Sequence, residues 1–203
     1  FIIIDKIYSQ IGKLMRGYRT KKNFFYMILF FILILYSHTS NSEINKELKE
    51  INANIIFLRH SIAPGFGDPD YFNLNNCSTQ RNLNAEGILQ SKNIGAYFKS
   101  NNIRFTEILS SEWCRCKDTV HEMKIGKWKT FSGLNSFFQG YSNKDKVLKK
   151  LNKKLSSTKN NELVLMVTHQ VVILNITGTA PPSGGIVIYN SQTRQSKQLD
   201  IQY

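Results

Sequence analysis

Residues 54–61 read NIIFLRHS, an apolar run over Asn54–Leu58 that breaks off at Arg59, His60 and Ser61. A compact run of this kind has the pattern of a strand buried on both faces. Two later stretches repeat it. Thr106–Ser110 (TEILS) is followed by Ser111 and, four residues on, by Arg115. Glu162–Val167 (ELVLMV) is followed by Thr168, His169 and Gln170. Helical spacing lies between them. Asn84–Asn101 carries Ile88, Leu89, Ile94, Tyr97 and Phe98, and Glu112–Met123 predicts a helix capped by Ser110 or Ser111. Asp145–Leu155 has an apolar stripe of Leu148, Leu151 and Leu155, and Val171–Thr177 forms a short helix. Glu43–Asn52 reads as a helical lead-in, and Ile186–Tyr189 with Gln195–Ile201 as a closing hairpin. Residues 124–142 show no clear period. Buried strands alternating with helices predict an α/β domain whose mostly parallel sheet is covered on both faces.

The carboxyl ends of parallel strands are where such sheets bind ligands. Arg59 and His60, Arg115, and His169 therefore fall on one edge of the sheet although they are 50 or more residues apart. One histidine after one strand is more often a structural hydrogen-bonder; two histidines and two arginines at equivalent positions point to chemistry. A neutral imidazole nitrogen can attack phosphorus if the other ring nitrogen donates to a backbone carbonyl. Guanidinium forks match phosphoryl oxygens and stay charged, and a second, protonated histidine stabilises charge in transit. The long segment 62–82 (IAPGFGDPDYFNLNNCSTQRN) is rich in Gly, Pro, Asp and Asn, and a loop of that length is usually functional. No metal-spaced cluster and no phosphate-binding glycine loop is visible, so no cofactor is expected.

The 203 residues carry 27 Lys+Arg against 14 Asp+Glu, a formal net charge of +13. That total raises nucleic acid or an anionic surface as partners. The distribution argues otherwise. Lys6, Lys13, Arg16, Arg19, Lys21 and Lys22 oppose only Asp5 within residues 1–42. They precede Phe24–Tyr36 (FFYMILFFILILY), thirteen apolar or aromatic residues followed by small polar ones. A basic n-region, a short apolar core and a polar exit form the pattern of a secretory signal peptide, with an uncleaved signal anchor as the alternative. Met15 would open its n-region. Residues 1–42 are thus read as a leader and 43–203 as an exported, periplasmic domain. A membrane contact is expected only through an uncleaved leader. The second basic concentration, Lys144, Lys146, Lys149, Lys150, Lys153, Lys154 and Lys159, has no interleaved aromatics and does not suit nucleic acid. In an exported domain Cys77 could pair with Cys114 or Cys116, or all three could be buried thiols.

The stretches IIFLRHS (55–61), TQRNLNAEG (79–87), LSSEWCRCKDT (109–119) and LMVTHQ (165–170) together resemble the histidine phosphatase, or phosphoglycerate mutase-like, superfamily. The resemblance runs from about residue 53 to 190 and implies a three-layer α/β/α sandwich. It implies His60 as the phosphorylated nucleophile, with Arg59, Arg115 and His169 completing a phosphate pocket. The build is similar to that of small exported lipopolysaccharide-core heptose phosphatases and small phosphohistidine phosphatases. A phosphorylated small molecule or envelope glycan is then the expected substrate. A catalytically silent module binding the same phosphate ligand is the alternative, and a glycolytic mutase is disfavoured by export. Two departures stand out. Ser61 replaces the family's glycine, and SGLNSFFQG (132–140) has Asn135 and Ser136 where the family's carboxylate acid is sought. Asp68, Asp70 and Glu112 are candidates for that acid, although for each a loop-capping or solvated carboxylate is the favoured reading. Without an acid, expulsion of a sugar alkoxide forgoes a contribution of about 10²–10⁴-fold. Substrates with good leaving groups are then expected.

Overall fold

The computed structural model describes residues 43–201. The leader, its apolar core 24–36 and any cleavage point lie outside the described residues. The chain runs α1 (Glu43–Glu50), β1 (Ile55–Arg59), α2 (Ala85–Ser100), β2 (Glu107–Ser110), α3 (Cys114–Met123), β3 (Lys129–Thr130), α4 (Lys144–Ser157), β4 (Val164–Thr168), α5 (Gln170–Thr177), β5 (Ile186–Tyr189) and β6 (Ser196–Leu199). One six-stranded sheet forms in the order β3-β2-β4-β1-β5-β6. Its first four strands are parallel, while β5 runs antiparallel to β1 and β6 to β5. The fold is an α/β sandwich with a mostly parallel sheet.

Alternation along the central strands explains the layers. Ile56, Leu58, Leu165 and Val167 pack with Ile44 and Leu48 of α1, Ile94 and Phe98 of α2, and Val120 and Met123 of α3. Ile55, Phe57, Val164 and Met166 face the other way, onto Leu151 and Leu155 of α4 and Val172 and Ile173 of α5. Because successive strand residues point to opposite faces, a run apolar at every position requires helices on both sides. Where α2 crosses α3 the backbones nearly touch: a Cβ on Gly95 would lie 2.1 Å from the Met123 carbonyl oxygen. Among the described residues no helix is long and apolar enough to cross a membrane.

Several boundaries differ from expectation. Helix α3 starts at Cys114 with Trp113 as its cap and no side-chain capping bond, not at Glu112 behind Ser110 or Ser111. Ser110 ends β2, and the Ser111 hydroxyl, besides accepting from Trp113 N at 3.3 Å, bonds Asn135 and His169. Helix α2 is capped by Asn84, whose Oδ1 accepts from Gly87 N at 2.9 Å, but Ile88 and Leu89 stay on its exposed side. In α4 the buried stripe is Val147, Leu151 and Leu155, with Leu148 half-buried. Residues 124–142 resolve into the two-residue β3 and single helical turns at Ser132–Leu134 and Phe138–Gly140.

The long loop after β1 is an ordered wall. Its Cys77 forms a disulfide with Cys114, at the first turn of α3. Cys116 stays a buried free thiol. Phe72 stacks on Trp113 at 5.0 Å and packs on Tyr141 at 4.5 Å between ring centres. Gln80 accepts from Cys114 N and donates to the carbonyls of Asn73 and Leu74.

Candidate active site

The parallel pairing of β1 with β4 places Arg59 opposite Thr168, so His60 and His169 are the first residues beyond two adjacent strand ends. Their ring centres are 5.5 Å apart. Both side chains are buried, and so is Arg115, delivered from the first turn of α3. The four residues expected to meet, Arg59, His60, Arg115 and His169, do line one pocket of about 150 Å³ at the carboxyl edge of the sheet. A larger groove of about 540 Å³ lies at the opposite edge, beside Glu107, Lys127 and Lys129, and has no histidine or cysteine in its lining.

The hydrogen-bond network fixes the tautomer of His60. Nε of Arg115, which can only donate, reaches Nε2 of His60 at 3.2 Å. Nε2 is therefore the bare nitrogen, and Nδ1–H donates to the Ser61 carbonyl at 2.8 Å. The single lone pair of Nε2 is the one that Arg115 Nε meets, and both residues line the pocket. His169 is held from behind, its Nε2 lying 2.9 Å from the Ser111 hydroxyl, which in turn lies 3.2 Å from Asn135 Oδ1. Its Nδ1 faces Arg115 Nη2 at 3.4 Å.

Arg115 is the hub. Its Nη1 and Nη2 donate to the two carboxylate oxygens of Asp68 at 2.7 and 3.0 Å, both partners being buried. Asp68 also accepts from Trp113 Nε1 and Arg81 N, each at 3.0 Å. Burial alone would raise the Asp68 carboxyl, but the forked bonds and charge of Arg115 outweigh it and hold the group below its ordinary value. A carboxylate so committed carries no proton to give. The acid role expected of Asp68 is corrected to that of an anchor for Arg115. Asp70 is exposed and outside the pocket lining. Glu112 is also outside it, with its Oε2 accepting from Asn135 Nδ2 at 2.5 Å. Among the described residues, no Asp or Glu lines this pocket.

Sequence reasoning passed over Arg81, which also lines the pocket and lies within the 79–87 stretch that carried the resemblance. It donates to the Gly67 carbonyl at 2.8 Å and to that of Ala63, and burial followed by the charge of Arg115 pulls its pKa down to about 10. Arg59 donates from Nη1 to the Pro181 carbonyl at 2.9 Å, while its Nε is buried without a partner. Three guanidinium groups thus converge on a cleft with one internal carboxylate. Burial first, then the charge of Arg115, pushes His60 and His169 well below their ordinary value of 6.5. The neutral imidazole suits a nucleophile. The protonated state expected of His169 does not hold in this buried, positively charged setting. Cys116, 3.5 Å from His169, is pushed up to about 12 by burial and is no thiolate. Among the described residues no group of three or more His, Cys, Asp or Glu side chains is placed to hold a metal ion.

The architecture is similar to that of solved structures. A protein from Agrobacterium tumefaciens proposed to be the phosphohistidine phosphatase SixA superposes with a TM-score of 0.51 at 16% identity, covering 75% of this chain and 99% of its own. The fold is that of the histidine phosphatases. A protein from Escherichia coli proposed to be an alpha-ribazole-5′-P phosphatase matches with a TM-score of 0.51 at 14% identity, covering 71% of this chain and 94% of its own. No family model matches the sequence, and no curated protein matches it. At such identities the likeness carries the histidine phosphatase fold, and what the pocket does must be argued from its own residues.

Two outcomes follow from the buried charges. Asp68→Asn keeps the shape of the anchor but leaves Arg115 uncompensated, and unfolding in urea should show a loss of about 3–5 kcal/mol. The histidines act in a separate pH window. Between their lowered folded values and 6.5 the unfolded chain binds more protons than the folded one, so stability rises with pH there and levels off above it. The stability lost through Asp68 goes only in stronger acid, as pH falls through its lowered value. The urea midpoint should climb between about pH 5 and pH 7; a midpoint that falls over that interval contradicts the assignment of buried neutral imidazoles.

Proposed function

We propose that the described domain is a phosphatase that hydrolyses phosphomonoesters or related phosphoryl compounds through a phosphohistidine on His60. The observation that carries this reading is the bare Nε2 of His60 beside the guanidinium groups of Arg59, Arg81 and Arg115, with Nδ1 held by the Ser61 carbonyl. In the first step Nε2 attacks phosphorus, the Nε2–P bond forms, and the bond from phosphorus to the leaving oxygen breaks. The leaving oxygen takes its proton from water. The three guanidiniums and His169 hold the equatorial oxygens, and the unpartnered Nε of Arg59 is a donor ready for one of them. In the second step water attacks phosphorus, the Nε2–P bond breaks, and phosphate departs with a proton released.

An exported setting goes with this activity. The Cys77–Cys114 disulfide supports an oxidising compartment, and the leader-like pattern of residues 1–42 supports delivery to the periplasm, anchored or cleaved. We place the substrate among phosphorylated small molecules, an envelope glycan being the alternative that the sequence resemblance raised, with no nucleic acid partner.

Incubation with a radiolabelled phosphoryl donor, followed by acid and alkali treatment, tests the nucleophile. Acid-labile, alkali-stable label should accumulate on the unmodified protein and be absent from His60→Ala. Label retained on His60→Ala would refute the assignment. An unmodified protein that binds phosphate but neither labels nor turns over would favour the silent binding module.

A further inference from the structure

We propose that Phe66 and Phe138 form a leaving-group site at the mouth of this pocket that selects aryl phosphates, whose leaving group is a planar phenol. The proposal rests on the phosphatase reading of the pocket. Both rings line its mouth, 5.1 Å apart and edge to face at 84°. Phe66 is 89% exposed and Phe138 is 37% exposed. A phenylalanine that far into water is not packing a core, and a pair of them beside a cluster of guanidiniums is an apolar surface with a use.

The pair is held in place. Phe66 lies between Gly65 and Gly67, whose φ values of 95° and 70° form a tight turn. Phe138 opens the helical turn that contains Gln139, at φ 60°. Gln139 Oε1 accepts from Asp68 N at 2.7 Å, and its Nε2 donates to the Asp68 carbonyl at 3.2 Å. That amide bolts the Phe138 turn to the Phe66 loop. A Cβ on Gly67 would come within 2.5 Å of the same Gln139 side chain, so the close approach of the two segments depends on glycine there. The same Asp68 whose backbone receives Gln139 anchors Arg115 with its carboxylate. Rim and phosphate pocket share one support.

The pocket's chemistry points the same way. A phosphoryl group set among Arg59, Arg81 and Arg115 directs its leaving oxygen to the mouth, where Phe66, Phe138, Val171, Ser136 and Gln170 are the neighbours and no carboxylate can protonate it. A phenol, with a pKa of about 10, departs without that help far more readily than an alkanol. Its ring offers the flat apolar face that an edge-to-face pair can receive. A polyhydroxylated leaving group finds few polar partners on this rim.

The test compares two substrates that both leave without an acid, 4-nitrophenyl phosphate and acetyl phosphate, of which only the first carries a ring. In Phe66→Ala and Phe138→Ala the ratio of kcat/KM for 4-nitrophenyl phosphate to that for acetyl phosphate should fall about tenfold, as expected for loss of an aromatic contact together with its buried area. A ratio within about twofold of the unmodified protein's overturns the rim proposal while leaving the phosphatase reading intact. Failure of the unmodified protein to hydrolyse either compound overturns that reading, and the rim proposal with it.

Discussion

The forked bond between Asp68 and Arg115 organises the site. One carboxylate, carried on the long loop after β1, accepts both terminal nitrogens of the guanidinium and also the backbone N–H of Arg81 and the indole of Trp113. Through Nε, Arg115 then sets the ring of His60, and through Nη2 it meets His169. Everything that stiffens the loop stiffens the site: the Cys77–Cys114 disulfide beside Arg115, the stacking of Phe72 on Trp113, and the amide of Gln139 on the Asp68 backbone. By the chain-entropy estimate, a bridge closing this 37-residue separation stabilises the domain by about 4 kcal/mol. Its larger consequence is geometric, because it ties the anchor's loop to the helix that carries the anchored residue.

Gathering Arg59, Arg81 and Arg115 around one internal carboxylate leaves the cleft with excess positive charge. Burial first, and then the charge of Arg115, lowers Arg59, Arg81 and both histidines. A dianionic phosphoryl group would supply the missing negative charge. In the proposed reading, the burial and positive charge that keep His60 neutral also favour a bound anion.

The strands were legible because residues such as Ile55–Leu58 and Val164–Val167 are apolar at every position, which only a doubly covered sheet accommodates. The edge shared by His60 and His169 followed from that, since adjacent parallel strands end together. What could not be read were partners supplied by tertiary contact. Asp68 has the sequence context of a free loop carboxylate, and only the arrival of Arg115 and Trp113 makes it an anchor. Ser111 has the composition of a helix cap, and its hydroxyl does accept from Trp113 N just before α3, but it also serves His169 and Asn135. Arg81 lay in a quoted stretch but follows no strand, so the strand-end rule gave it no weight. The choice of Cys114 over Cys116 depends on which face of α3 meets the loop. Two residues apart, they point differently, and Cys116 turns into the core.

The charge that first suggested nucleic acid divides between a leader-like segment, a lysine-rich outer helix and the pocket arginines Arg59, Arg81 and Arg115, which would hold a phosphoryl group in the proposed reading. The central claim is that His60 Nε2 is the phosphorus-attacking atom within a cradle of three guanidiniums. A crystal structure with orthovanadate tests it most directly. The account predicts vanadium bonded to Nε2 of His60, with its equatorial oxygens hydrogen-bonded to Arg59, Arg81 and Arg115. Vanadium on His169, or seated away from these arginines, would contradict it.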